Sequence, residues 1–134
     1  MLNRAWNHTG VSFAPCGLCR NDLSVDVDGS LYPCHRFVGL PAFRVGNLET
    51  GLDTKAVERI YRRLYAIAYE TCGACWANRL CGGACPWHIA RDDGEFLRPS
   101  EERCESTKRS VERSLGLYAE LKELCPEFLG NLLG

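Results

Sequence analysis

The segment Cys72-Gly-Ala-Cys75-Trp-Ala-Asn-Arg-Leu-Cys81-Gly-Gly-Ala-Cys85 packs four thiols into fourteen residues at the spacing C-x2-C-x5-C-x3-C. Two cysteines separated by two residues can grip one metal centre, because a tight turn points both sulfurs to the same side. Gly73, Gly82 and Gly83 suit such turns, since glycine accepts positive φ and lets backbone amides approach sulfur closely. Isolated core cysteines have no reason to recur in this way. The segment reads as a cluster-binding knuckle on which the other cysteines converge.

Upstream of the knuckle, Asp53 or Thr54 caps a predicted helix running to about Glu70. Ala56, Val57, Ile60, Tyr61, Leu64 and Ala68 recur along it at helical spacing and form an apolar face. Arg59, Arg62 and Arg63 fall on the remaining surface and read as a solvated face. Downstream, Pro86-Trp87-His88-Ile89 and the turn Asp92-Asp93-Gly94 form a short excursion. Ser100 then caps a last helix, with Glu101 and Glu102 favouring its positive end. Cys104, Val111, Tyr118 and Cys125 fall seven apart on it, so Cys104 is expected on the buried face of the first turn. Pro126 ends the pattern, and Cys125 reads as an ordinary buried cysteine.

Further upstream lies a second C-x2-C pair, Cys16-Gly-Leu-Cys19. A thioredoxin-like redox motif would need a βαβ context, and none follows. Instead, Leu23, Val25 and Val27 alternate with Ser24 and Asp26, Asp28-Gly29 makes a turn, and Ser30-Leu31-Tyr32 returns. Pro33 ends the return strand or keeps it at an edge. Hairpin closure can then bring Cys16, Cys19 and Cys34 together. His35 is a possible hydrogen-bond donor to a bound centre, although a surface histidine is the plainer reading. Phe37, Val38, Phe43 and Val45 supply core, while Gly39, Pro41 and Gly46 keep that segment irregular or briefly extended.

The 134 residues suit a single domain with a modest core. A net charge of −1 gives no broad electrostatic case for nucleic acid or an anionic membrane. No apolar run is long enough to span a bilayer, and Met1-Leu-Asn-Arg-Ala-Trp6 lacks the apolar core of a signal peptide. Nine cysteines invite a disulfide reading. The odd count, the missing export signal and the clustered C-x2-C spacings favour metal ligation in the cytoplasm instead. Residues 1–15, with Trp6, Val11 and Phe13, read as a connector, residues 16–126 as the domain, and residues 127–134 as a tail. The expected fold class is α+β: a small cysteine-rich domain with an N-terminal β-hairpin, two main helices and long cluster-binding loops.

With Cys125 set aside, eight thiols remain: Cys16, Cys19, Cys34, Cys72, Cys75, Cys81, Cys85 and Cys104. Eight thiols make two four-sulfur centres, which 4Fe–4S clusters or zinc ions would fit equally by count. The loose x5 and x3 gaps tilt mildly toward clusters.

Gly29-x4-Cys34, then C-x2-C-x5-C-x3-C from Cys72 to Cys85, then Cys104, resembles the SPASM domain, the auxiliary-cluster module of radical S-adenosylmethionine enzymes that modify peptides. The likeness spans Cys16 to Cys104. Val25-Asp-Val-Asp-Gly-Ser-Leu-Tyr-Pro-Cys34-His-Arg-Phe-Val-Gly39 also resembles subfamilies that modify ribosomally made peptides, thioether-forming maturases among them. The resemblance implies an interleaved ligand set. Cys16, Cys19, Cys34 and Cys85 would hold one 4Fe–4S cluster, and Cys72, Cys75, Cys81 and Cys104 a second. It further implies an electron relay, a wall of the peptide site, and a fold with little hydrophobic core apart from its clusters. Trp76, Trp87 and Tyr32 are candidate peptide contacts, although core packing is the plainer reading of each.

The chain departs from such enzymes in one respect. Their radical chemistry needs a C-x3-C-x2-C motif on a partial barrel, and here Cys81-x3-Cys85 is followed by His88 in place of the third cysteine. The expectation is therefore a domain that is not catalytic alone. S-adenosylmethionine and a third cluster would belong to a missing radical SAM barrel domain, the partner alongside a peptide or protein substrate and an external electron acceptor. Some relatives also carry a single cysteine where this chain has Cys16 and Cys19, leaving an iron open to substrate. With both present, full ligation by the chain is expected.

Overall fold

In the computed structural model, which describes residues 16–83 and 85–128, the hairpin around Asp28-Gly29 is the first regular element. Strand β1 (Ser24–Val25) pairs antiparallel with β2 (Ser30–Tyr32), placing Ser24 opposite Tyr32 and Val25 opposite Leu31. The Gly29 N–H donates to the Asp26 carbonyl at 2.9 Å, with Gly29 at φ +80°, a conformation side chains resist. The Asp28 carboxylate accepts from the Ser30 backbone N–H at 2.9 Å and from its hydroxyl at 3.0 Å. These bonds, the backbone one foremost, hold its carboxyl below the ordinary carboxylate range. The connector expected at residues 1–15 and most of the tail at 127–134 lie outside the described residues.

The sheet continues beyond this hairpin. Strand β3 (Gly46–Asn47) lies on the other side of β2, and β4 (Gly51–Leu52) on the far side of β3, giving the order β1-β2-β3-β4. Pro33 therefore ends an interior strand and marks no edge. The second hairpin escapes sequence reading because two-residue strands carry no alternation to detect. Gly46 shows why the segment holds glycine: at φ +148°, a β-carbon there would run into the Gly51 carbonyl.

The Asp53 carboxylate accepts from the N–H groups of Lys55 and Ala56, both at 3.0 Å, and caps α1 (Thr54–Cys72). Such a cap contributes about 1 kcal/mol. The helix buries Ala56, Ile60, Leu64 and Ile67 against the sheet and loops, while Val57, Tyr61 and Ala68 are half-buried beside that face. It runs past Glu70 and ends on Cys72 itself.

A cluster of aromatic rings ties the loops to this body. Trp87 meets Phe37 edge-on at 5.6 Å between centroids, Phe37 meets Phe43 at 4.6 Å, and Phe43 meets Phe96 at 5.4 Å. Each pair contributes about 0.5–1.5 kcal/mol beyond its buried area. Leu31, Phe37, Phe43, Val45, Ile60 and Leu64 belong to one buried cluster, which corrects the expectation of little hydrophobic core. Val38, 36% exposed, is not part of it.

The knuckle carries a short helix α2 (Asn78–Cys81), and a 3-10 turn follows at Pro86–Ile89. The long helix α3 (Glu101–Leu124) starts at Ser100, whose hydroxyl accepts from the Arg103 N–H at 3.3 Å. α3 packs on α2 near its own start, and Val111 is its buried residue. Cys125 is exposed, contrary to expectation. Beyond Val111 the heptad positions are less covered, with Tyr118 half-buried and Cys125 exposed. No helix among the described residues is long and apolar enough to cross a membrane.

Candidate metal centres

The first group of thiols forms where the Cys16–Cys19 loop meets the base of the hairpin. The Gly17 carbonyl accepts from the N–H groups of Arg20 and Asn21, both at 2.8 Å, closing a tight turn. Cys19 itself sits at φ +55°, a left-handed conformation that costs a non-glycine residue about 1–2 kcal/mol. Three neighbours hold it there. Its N–H donates to the Pro33 carbonyl at 3.3 Å, one residue from Cys34. Leu18 beside it is buried in the core, and the Tyr61 hydroxyl from α1 donates to the Leu18 carbonyl. Burial, then the nearby thiols of Cys34 and Cys16, push the Cys19 thiol from 9.0 up to about 12.

The second group forms on the knuckle and α3. The Cys75 N–H donates to the Cys72 carbonyl at 3.1 Å, turning the chain so that the two thiols lie close. The Asn78 N–H then donates to the Cys75 carbonyl at 3.1 Å and the Cys81 N–H to the Ala77 carbonyl at 2.8 Å, which starts and closes α2. Gly82 (φ +69°) and Gly83 (φ +86°) reverse the chain, as their spacing suggests. Gly73 does not adopt positive φ; a β-carbon there would sit 2.8 Å from the Tyr69 carbonyl, so close approach explains that glycine. Cys72, Cys75, Cys81 and Cys104 all line one cavity of about 190 Å³. Burial raises the Cys72 thiol, with Cys104, Cys81 and Cys75 adding to the effect.

Cys85 is exposed and faces this same cavity. His88, also exposed, borders it, while His35 is exposed on the turn after Cys34. Among the described residues, no group of three or more His, Cys, Asp or Glu side chains is arranged to hold a metal ion as it stands. The donor chemistry does suit thiolate-binding centres. Thiols this close penalise one another's ionisation, and a cation among them reverses that penalty, since a coordinating thiol loses its proton outright. Cys16, Cys19 and Cys34 would serve one such centre and Cys72, Cys75, Cys81 and Cys104 another.

Comparison with protein-family models, curated proteins and solved structures finds no match to this chain.

Two features of the site were not anticipated from sequence. Arg103 and Lys108 join the thiols around the second cavity, and Tyr61 anchors the first thiol loop. Lys108 stands four residues after Cys104 on a helix, a spacing that places both on one face and was readable. Tyr61 gave no comparable signal, because its partner is a carbonyl 43 residues away.

Proposed function

We propose that this chain is an auxiliary domain carrying two 4Fe–4S clusters, of the SPASM type, and that it acts within a radical S-adenosylmethionine enzyme that modifies a peptide or protein by oxidation or thioether-type cross-linking. The observation that carries the reading is the division of thiols into two neighbourhoods, Cys16 with Cys19 and Cys34, and Cys72 with Cys75, Cys81 and Cys104. That division agrees with the interleaved ligand set for every one of these thiols. Cys85 is the thiol that would cross from the knuckle to the first group.

Bound clusters of this kind would take up and pass on single electrons. The chain's own residues supply the surroundings. Cys19 and Cys34 pack against a core that includes buried Leu18 and Tyr32, and buried Ala77 lines the cavity of the second group. Trp76 is 53% exposed between two knuckle turns, so it is not a core residue and is the aromatic left to meet a peptide. Tyr32 is buried and Trp87 packs on Phe37, which removes both from that role. The barrel domain, the peptide and an external electron acceptor are the partners this reading requires. Thiols that must stay reduced for ligation favour a reducing, cytoplasmic setting in this reading.

A double-zinc interaction module without a redox role is the second reading, favoured by a donor set of thiols alone. Electron paramagnetic resonance on an anaerobic preparation separates the two. The cluster reading expects two reducible iron–sulfur signals; a colourless protein holding two zinc ions would overturn it.

A further inference from the structure

The second thiol cavity is not lined by sulfur and apolar groups alone. Lys108 extends into its wall from α3, one helical turn beyond Cys104, and its side chain is about one-third exposed. Residues four apart on a helix stand one above the other, so the ammonium group and the Cys104 thiol share a face. Lys108 Nζ is fixed by a contact of 2.6 Å to Glu105 Oε1, which keeps this long side chain from swinging into solvent. Arg103 also lines the cavity, but its N-terminal position turns it equally toward a second, polar surface formed with Ser100, Glu102 and Ser106. Cys75 and Cys104 line the same cavity as Lys108, so the cation shares its wall with thiols from both the knuckle and α3.

We propose that Lys108 and Glu105 form a charge pair that sets the reduction potential of the centre held by Cys72, Cys75, Cys81 and Cys104. This inference rests on the cluster reading above. Four thiolates around an iron–sulfur core leave a net negative charge, and reduction makes it more negative. A fixed cation at the cavity wall stabilises the reduced form and raises the potential, since net charge near the cluster is one of the levers on it. Glu105 works in the opposite sense, partly cancelling the ammonium charge while holding it in place. The first centre, beside Cys16, Cys19 and Cys34, has no part in this pair, so the pair shifts the potential of one centre relative to the other.

Potentiometric titration of the anaerobic full chain tests this, with each centre followed by its own paramagnetic signal. Lys108→Met is expected to lower the potential of the Cys104 centre, Glu105→Gln to raise it, and Lys108→Arg to leave it nearly unchanged. The other centre is expected to stay fixed in all three. Iron present but unmoved by Lys108→Met, or both centres moving together, overturns the inference and leaves the function standing. A preparation without iron overturns both. Should Lys108→Met fail to hold its clusters, Glu105→Gln, a change at an exposed side chain, carries the test by the sign of its shift alone.

Discussion

Tyr61 donates its hydroxyl to the backbone carbonyl of Leu18, joining the middle of α1 to the loop between Cys16 and Cys19. The contact adds an anchor from α1 to a loop that is otherwise held by its own turn at Gly17, by buried Leu18 and by the Cys19 bond to Pro33. Tyr61→Phe keeps the ring, which stacks on Tyr65 at 6.0 Å, and removes only this hydroxyl. Loss of about 1 kcal/mol of stability is expected, read as a lower denaturation midpoint. Faster metal loss from the first centre than from the second is expected as well. Equal loss from both would show that Tyr61 does not act on the Cys16–Cys19 loop in particular.

Single cysteine replacements divide the iron. Cys104→Ala and Cys75→Ala are each expected to remove the second cluster and destabilise the domain, and Cys19→Ala to remove the first. Cys125→Ala, at an exposed position beyond the packed part of α3, leaves iron content unchanged. Equal losses in all four variants would contradict the two-group assignment.

Cys85 provides a sharper form of the same test, because it faces the second cavity while the interleaved set gives it to the first cluster. The double variant Cys19→Ala with Cys85→Ala is expected to lose no more iron than either single one, whereas Cys85→Ala with Cys104→Ala loses both clusters. The reverse pattern would assign Cys85 to the second group.

The raised Cys19 thiol has a signed consequence for the metal-free chain. Its folded value of about 12 lies above the unfolded 9.0, so between those values the folded state holds more protons than the unfolded. Stability is then fully present below about pH 9 and falls as pH rises toward 12. Metal binding must expel that proton, so uptake at the first centre is expected to strengthen as pH increases. Denaturation of the metal-free chain across pH 8–12, compared with a Cys19→Ala variant that lacks the effect, measures the first part.

The first hairpin, the caps at Asp53 and Ser100 and the apolar face of α1 were all legible, because each rests on interactions within a few residues. Turn chemistry at Asp28-Gly29 and helical periodicity are local signals, and nothing distant overrides them here. What the sequence hid depends on contacts across the chain. The β3–β4 hairpin consists of two-residue strands held by backbone bonds to Leu31 and Asp53. Val38 and Cys125 look apolar in sequence but stay outside the buried core. At the site, the C-x2-C spacings anticipated the short turns at Cys16–Cys19 and Cys72–Cys75, which are closed by bonds within a few residues. The cation on the second cavity and the anchor of the first loop lie on helices whose packing fixes them.

Iron and acid-labile sulfide per chain, determined on an anaerobically prepared sample, test the central claim most directly. Two 4Fe–4S clusters predict about eight of each, in a brown protein whose thiols resist alkylation until the metal is removed. Two zinc ions with no sulfide, or thiols paired as disulfides, would contradict it.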